Sequence, residues 1–157
     1  MRCHLLVLLV ALLTQISGFA QQEPPAKADR DAVVAFAQKA AVRALDFREG
    51  DLGSLNRARA DFTAEAWRDF MKHMEGFLDQ NGAPTFNSSF VPSRDATVLG
   101  EDNGIVHLRI PGTLTQTHNQ SRTTYPRAAI EVFAGGKPIR IHRLEQITCG
   151  RESTLCQ

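Results

Sequence analysis

The chain has 157 residues, 18 Lys+Arg against 17 Asp+Glu, and 43% hydrophobic residues. That length supports one domain with a real core and is too short for two. A charge this close to neutral, without a basic cluster, argues against binding to a phosphate backbone, so no nucleic-acid partner is expected.

The first twenty residues, "MRCHLLVLLVALLTQISGFA", have the layout of a cleavable export signal. Arg2 gives a positive start, Leu5 to Leu13 are uninterruptedly apolar, and Gly18-Phe19-Ala20 is a small-x-small site. Retention as an anchor is the alternative. Gln15, Ser17 and Gly18 arrive too early for a helix that needs about 20 apolar residues to span. The expected cut follows Ala20, leaving no stable membrane span and equal numbers of acidic and basic residues, 17 of each. Cys3 precedes the apolar run, which argues against a lipid anchor at the cut.

"QQEPPAKADR" (21–30) is polar and proline-bearing and reads as a flexible lead-in. From Asp31 the pattern turns helical: Val33, Phe36, Ala37, Ala40, Ala41, Ala44 and Phe47 recur at spacings of three and four, and Gly50 ends the run. Leu52, Leu55 and Phe62 mark a weaker turn or two. The next helix is better signed. Thr63 is a good N-cap, Glu65 suits the positive end of the helix dipole, and Phe62 with Trp67 makes a hydrophobic staple. Trp67, Phe70, Met71, Met74, Phe77 and Leu78 then share one face, with Asn81-Gly82 as the expected stop. Phe62, Thr63, Trp67, Phe70, Met71 and Met74 are therefore assigned to the structural core, since burial of such apolar side chains stabilises by roughly 1.5–3 kcal/mol each.

After Pro84 the period changes to two. "TFNSSFV", "DATVLG", "GIVHLRIPGTLTQTH", "TTYPRAAIEVF" and "KPIRIHRLEQIT" read as strands, with turns at "EDNG" and "AGGK" and the loop "HNQSR" between the two longest. Val106, Leu108 and Ile110 face one way, His107 and Arg109 the other; Ala128, Ile130 and Val132 likewise alternate with Arg127, Glu131 and Phe133. Such one-sided strands imply an antiparallel sheet with helices on one face, and helices first with strands after imply an α+β domain over 31–148. In the tail (149–157), Cys149 and Cys156 form an even pair close in sequence, which reads as a disulfide in an oxidising compartment.

The catalytic inventory is thin. No G-x-S-x-G, H-E-x-x-H or Walker A pattern occurs, and Gly135-Gly136-Lys137 is a hairpin tip. His73, His107, His118 and His142 lack ligand-like spacing, so neither a metal nor a cofactor is expected. Glu131 and His142 lie on the last two strands and are expected to become neighbours across the hairpin, an arrangement that serves acid–base work or an ordinary cross-strand pair. The polar sheet face around Arg109, Arg127, Glu131, Arg140 and His142 offers both charge signs and is the expected interface for protein partners.

"ALDFREGDLGSLNRARADFTAEAWRDFMKHM" resembles the helical half of the DotI/IcmL proteins of type IVB secretion systems and their conjugative relatives. In that family a Phe-Thr-x-x-(Gly/Ala)-Trp-x-x-Phe element is matched here by Phe62, Thr63, Ala66, Trp67 and Phe70. "LRIPGTLTQTH", "YPRAAIEV" and "GKPIRIHRLEQI" are similar to the family's strands. The resemblance covers roughly 31–148. It implies a nuclear transport factor-like cone, a periplasmic location, and a non-catalytic role through self-association and contacts with other secretion or conjugation subunits. The family is usually tethered by a transmembrane helix; the export signal read here departs from that and points to a soluble relative or accessory subunit. The rival is a small-ligand-binding protein or ketosteroid isomerase-like enzyme on the same cone, which would need Asp46, Glu131 or His142 to point inward.

Overall fold

The computed structural model describes residues 29–148. Helix α1 (Arg30–Leu45) is capped by Asp29, whose carboxylate accepts the Asp31 amide at 3.1 Å. Val33, Ala37, Ala40, Ala41 and Ala44 are all fully buried along one face, and their small size lets the helix axis lie close to the sheet. The helix ends earlier than its apolar spacing predicts. Phe47 has left it to pair with Ser88, the two exchanging backbone hydrogen bonds of 3.1 and 2.9 Å. Phe47 is still buried, because the bridge aims its ring at Phe86, 5.1 Å away and edge-on.

A short helix α2 (Leu52–Asn56) and a 3-10 turn (Arg59–Asp61) lead to α3 (Ala64–Met74). Asp61 is buried and receives two hydrogen bonds from the Arg43 guanidinium, at 2.7 and 2.8 Å, which tie the turn to α1. Thr63 caps α3 as expected, its hydroxyl accepting the Ala66 amide at 3.2 Å, and the Phe62 and Trp67 rings meet edge-on at 5.4 Å. Phe62 and Phe70 are buried; Trp67, Met71 and Met74 pack against the core half-buried, as does Leu78. The helix stops at Met74 and tightens into a 3-10 turn (Glu75–Phe77), well before Asn81-Gly82. Gly76 lies in that turn, where its conformational entropy disfavours continuing the helix. Phe77 therefore leaves the stripe and is 54% exposed.

Five antiparallel strands follow: β1 (Asn87–Pro92), β2 (Thr97–Asp102), β3 (Ile105–His118), β4 (Ser121–Gly135) and β5 (Arg140–Thr148). The order is β1-β3-β4-β5, and β2 pairs with the first half of β3. Asn103-Gly104 and Asn119-Gln120 turn with positive φ, the backbone that two-residue hairpins require. Leu108, Ile110, Leu114, Ile130, Val132 and Ile141 are fully buried against the helices. Bulges at Gly112/Leu114 and Phe133/Ala134 bend the sheet. At Gly112 an added Cβ would lie 2.5 Å from both a Phe90 ring carbon and the Val91 carbonyl oxygen, so only glycine fits. The result is the α+β architecture expected, helices on one face of an antiparallel sheet. Among the described residues no helix is long and apolar enough to cross a membrane.

Candidate functional site

The face of the sheet opposite the helices carries a polar cluster on β3 and β4. Arg109 lies opposite Glu131 in the register, and His107 opposite Phe133. Arg109 donates to Glu131 Oε1 from Nε at 3.0 Å and Nη2 at 2.6 Å, and His107 Nε2 lies 2.9 Å from Oε2. Burial would by itself raise the Glu131 pKa. The hydrogen bonds from Arg109 and His107, with their charges, outweigh it and hold the carboxyl below its ordinary value. The His107 ring stacks on Phe133 at 4.1 Å and 10°. Arg143 from β5 also lies over that ring, 5.6 Å from its centroid, and pairs with Glu145.

Glu131 therefore takes its imidazole from β3, and not from His142 as the sequence pattern predicts. The bulge at Phe133/Ala134 is the reason: Phe133 pairs with Arg143 and Ala134 with Ile141, so His142 is the extra residue. The expected interface set thus divides. Arg109 and Glu131 are joined to each other, Arg127 is exposed at the start of the β4–β5 pairing, and Arg140 is half-buried with Nη1 donating to the Ile139 carbonyl at 2.9 Å. His142 is exposed and borders a separate groove. Asp46 is exposed outside that groove, and Glu131 belongs to the other face. Of the three residues that a ketosteroid isomerase-like site would draw on, only His142 lines it.

The groove, about 1410 Å³, opens between α3 and β5. Its helical wall is a double row. Ala66, Phe70 and Met74 form an apolar line, and Glu65, Asp69 and His73 run beside it at the same four-residue interval. His73 donates from Nδ1 to the Asp69 carbonyl at 2.7 Å, which leaves Nε2 as the other hydrogen-bonding atom of this exposed ring. The opposite wall is His142 to Ile147 of β5, and the tip of the β3–β4 hairpin, including His118 and Ser121, borders the distal end. Among the described residues no group of three or more His, Cys, Asp or Glu side chains is placed to hold a metal ion. The groove was not recognised from the sequence, although the i, i+4, i+8 spacing of Glu65, Asp69 and His73 beside Ala66, Phe70 and Met74 carried the signal. Cys149 and Cys156, and the export signal, lie outside the described residues.

By sequence the chain matches no protein-family model and no curated protein. Solved structures are similar to it. The periplasmic domain of DotI superposes with a TM-score of 0.62 at 19% identity, over 77% of this chain and 96% of that one. An IcmL-like type IV secretion system protein from Legionella pneumophila gives 0.58 at 11% identity, over 80% and 97%. Helices and sheet together thus reproduce nearly the whole of both domains, and the chain has the DotI/IcmL fold.

Proposed function

We propose that this chain is a periplasmic subunit or accessory protein of a type IV secretion or conjugation apparatus, and that it works by binding proteins, copies of itself included. One observation carries the reading: the fold covers 96% of the DotI periplasmic domain and 97% of an IcmL-like type IV secretion system protein. The match of Phe62, Thr63, Ala66, Trp67 and Phe70 to the family's helical element supports it from the sequence side. The role is non-catalytic in this reading. Glu131, which the sequence pattern pairs with His142, is instead saturated by three hydrogen bonds from Arg109 and His107 on the sheet's outer face. Such a carboxylate is spent on holding β3 to β4.

The test is affinity capture of the tagged protein from cross-linked envelope fractions of its host, with mass-spectrometric identification. Recovery of inner- or outer-membrane channel subunits, lost when the bait is unfolded, is the expected outcome. Recovery of none, with a small molecule copurifying in the groove, would transfer the assignment to the ligand-binding alternative, which the groove's 1410 Å³ volume accommodates.

A further inference from the structure

Six consecutive residues of β5, His142 to Ile147, line the groove. Successive side chains of a strand point to opposite faces, so a run of neighbours can border one space only if the strand presents its edge there. β5 is the last strand of the sheet. At its start the edge is closed: Phe62 forms a parallel bridge with Ile141, and the Thr63 amide donates to the Ile141 carbonyl at 2.9 Å. Beyond Ile141, no other strand of the described residues pairs with that side. The N-terminal flank of α3 thus begins a sixth strand and then turns away, leaving about five residues, roughly 17 Å, of open ladder.

An open edge is a template for another backbone, and a helix standing beside it supplies the second wall of a peptide-binding cleft. Here that wall is the apolar row Phe70 and Met74, with Leu144 beneath, bordered by Glu65 and Asp69. Arg143 and Glu145 pair with each other, so their charges cancel. Neither Glu65 nor Asp69 has a side-chain partner among the described residues, which leaves the cleft negative.

We infer that the α3–β5 groove binds an extended, basic segment of a partner protein as an added strand on β5, with alternate apolar side chains against Phe70 and Met74 and Lys or Arg near Glu65 and Asp69. The backbone ladder supplies affinity, and the apolar row and the two carboxylates supply selectivity. This rests on the partner-binding reading above and names the site and the chemistry of the partner.

The test uses the purified full chain and three capped seven-residue peptides of alternating valine and threonine. One is flanked by lysines, one by glutamates, and the third is the lysine peptide N-methylated at alternate residues on its hydrogen-bonding edge. Calorimetric titration is expected to show binding of the lysine peptide only, at least tenfold tighter than either control. Exchange of the amides in 143–147 that face away from β4 should slow in that complex. The double variant Glu65→Gln, Asp69→Asn, both exposed positions, should weaken it by roughly three- to tenfold, and added salt should do the same. Equal binding of the N-methylated peptide would refute strand addition, and equal binding of the glutamate peptide would refute the charge assignment. Slow exchange without peptide at those amides of 143–147 that face away from β4 would also overturn the inference: in a monomer it means that the chain's own segment fills the edge, in a dimer a second copy. These outcomes are independent of the envelope capture, which can succeed through another surface.

Discussion

Replacing Glu131 by Gln keeps the shape of the side chain and removes its charge. In the native fold Glu131 accepts from Arg109 at 3.0 and 2.6 Å and lies 2.9 Å from His107 Nε2, with only 12% of its side chain exposed. The substituted amide retains one oxygen for Arg109 and presents an NH2 group to the imidazole, so about one charge-assisted hydrogen bond is lost. Such a bond contributes ~1.5–3 kcal/mol. The Glu131 pKa is lowered by folding, so its contribution is present above the unfolded value, about 4.3, and is lost as pH falls through the lower folded value. Urea denaturation followed by fluorescence of the single tryptophan, Trp67, on the other side of the sheet, provides the assay. At pH 7 the Glu131→Gln midpoint should fall by roughly 1 M urea relative to wild type. Once the pH has fallen below the folded-state value, wild type and variant should converge, because the protonated acid and the amide are then nearly alike. The same gap at both pH values would show that the cost lies in packing, and would refute the charge-based account.

Three other outcomes follow from particular contacts. Gly112→Ala should destabilise by at least ~1–3 kcal/mol, since its Cβ would meet the fixed Val91 carbonyl at 2.5 Å, while Gly100→Ala, with nothing within 4 Å, should leave the thermal midpoint nearly unchanged. Trp67→Ala should cost about 3 kcal/mol, near the low end for a tryptophan truncation because the residue is half-buried; thermal melting by circular dichroism measures it, and an unchanged midpoint with partner capture lost would make Trp67 a docking residue. Exported protein should start at Gln21 and carry a Cys149–Cys156 bridge; a non-reduced intact mass that retains residues 1–20, or two titratable thiols in the unfolded chain, would count against those readings.

Much of the fold is legible in the sequence because its signals are local. The alternation along 105–118 and 121–135 sets both faces of the long hairpin, and Asn103-Gly104 fixes a turn with its own backbone preference. What escapes is set by long-range pairing. Phe47 has helical spacing, yet Ser88, forty-one residues on, captures its backbone. The partner of Glu131 could not be read from strand adjacency alone, since one extra residue at His142 shifts β5 and leaves His107, already on the same face of β3, as its neighbour. A period of two survives such an insertion on either side of it, and the register between strands does not.

The position of the groove follows from the sizes of two helical faces. α1 presents four alanines, each fully buried, and so packs directly against β1, β3, β4 and β5. α3 presents Trp67, Phe70, Met71 and Met74, whose bulk holds its axis away from the sheet, and it packs chiefly on β5. The sheet is thus closed under α1 and open under α3. The early stop of α3 at Met74 leaves Phe77 on the rim of the groove, edge-on to Phe86 at 5.7 Å. Helix composition that reads from the sequence only as core therefore also decides which strand edge a partner can reach. Lengthening α3 by Gly76→Ala, where the added Cβ meets nothing within 4 Å, should draw Phe77 off Phe86 and further across the groove it borders, weakening the lysine-flanked peptide while raising the thermal midpoint. A midpoint raised by up to a few degrees with peptide affinity unchanged would show that the opening does not depend on where α3 ends.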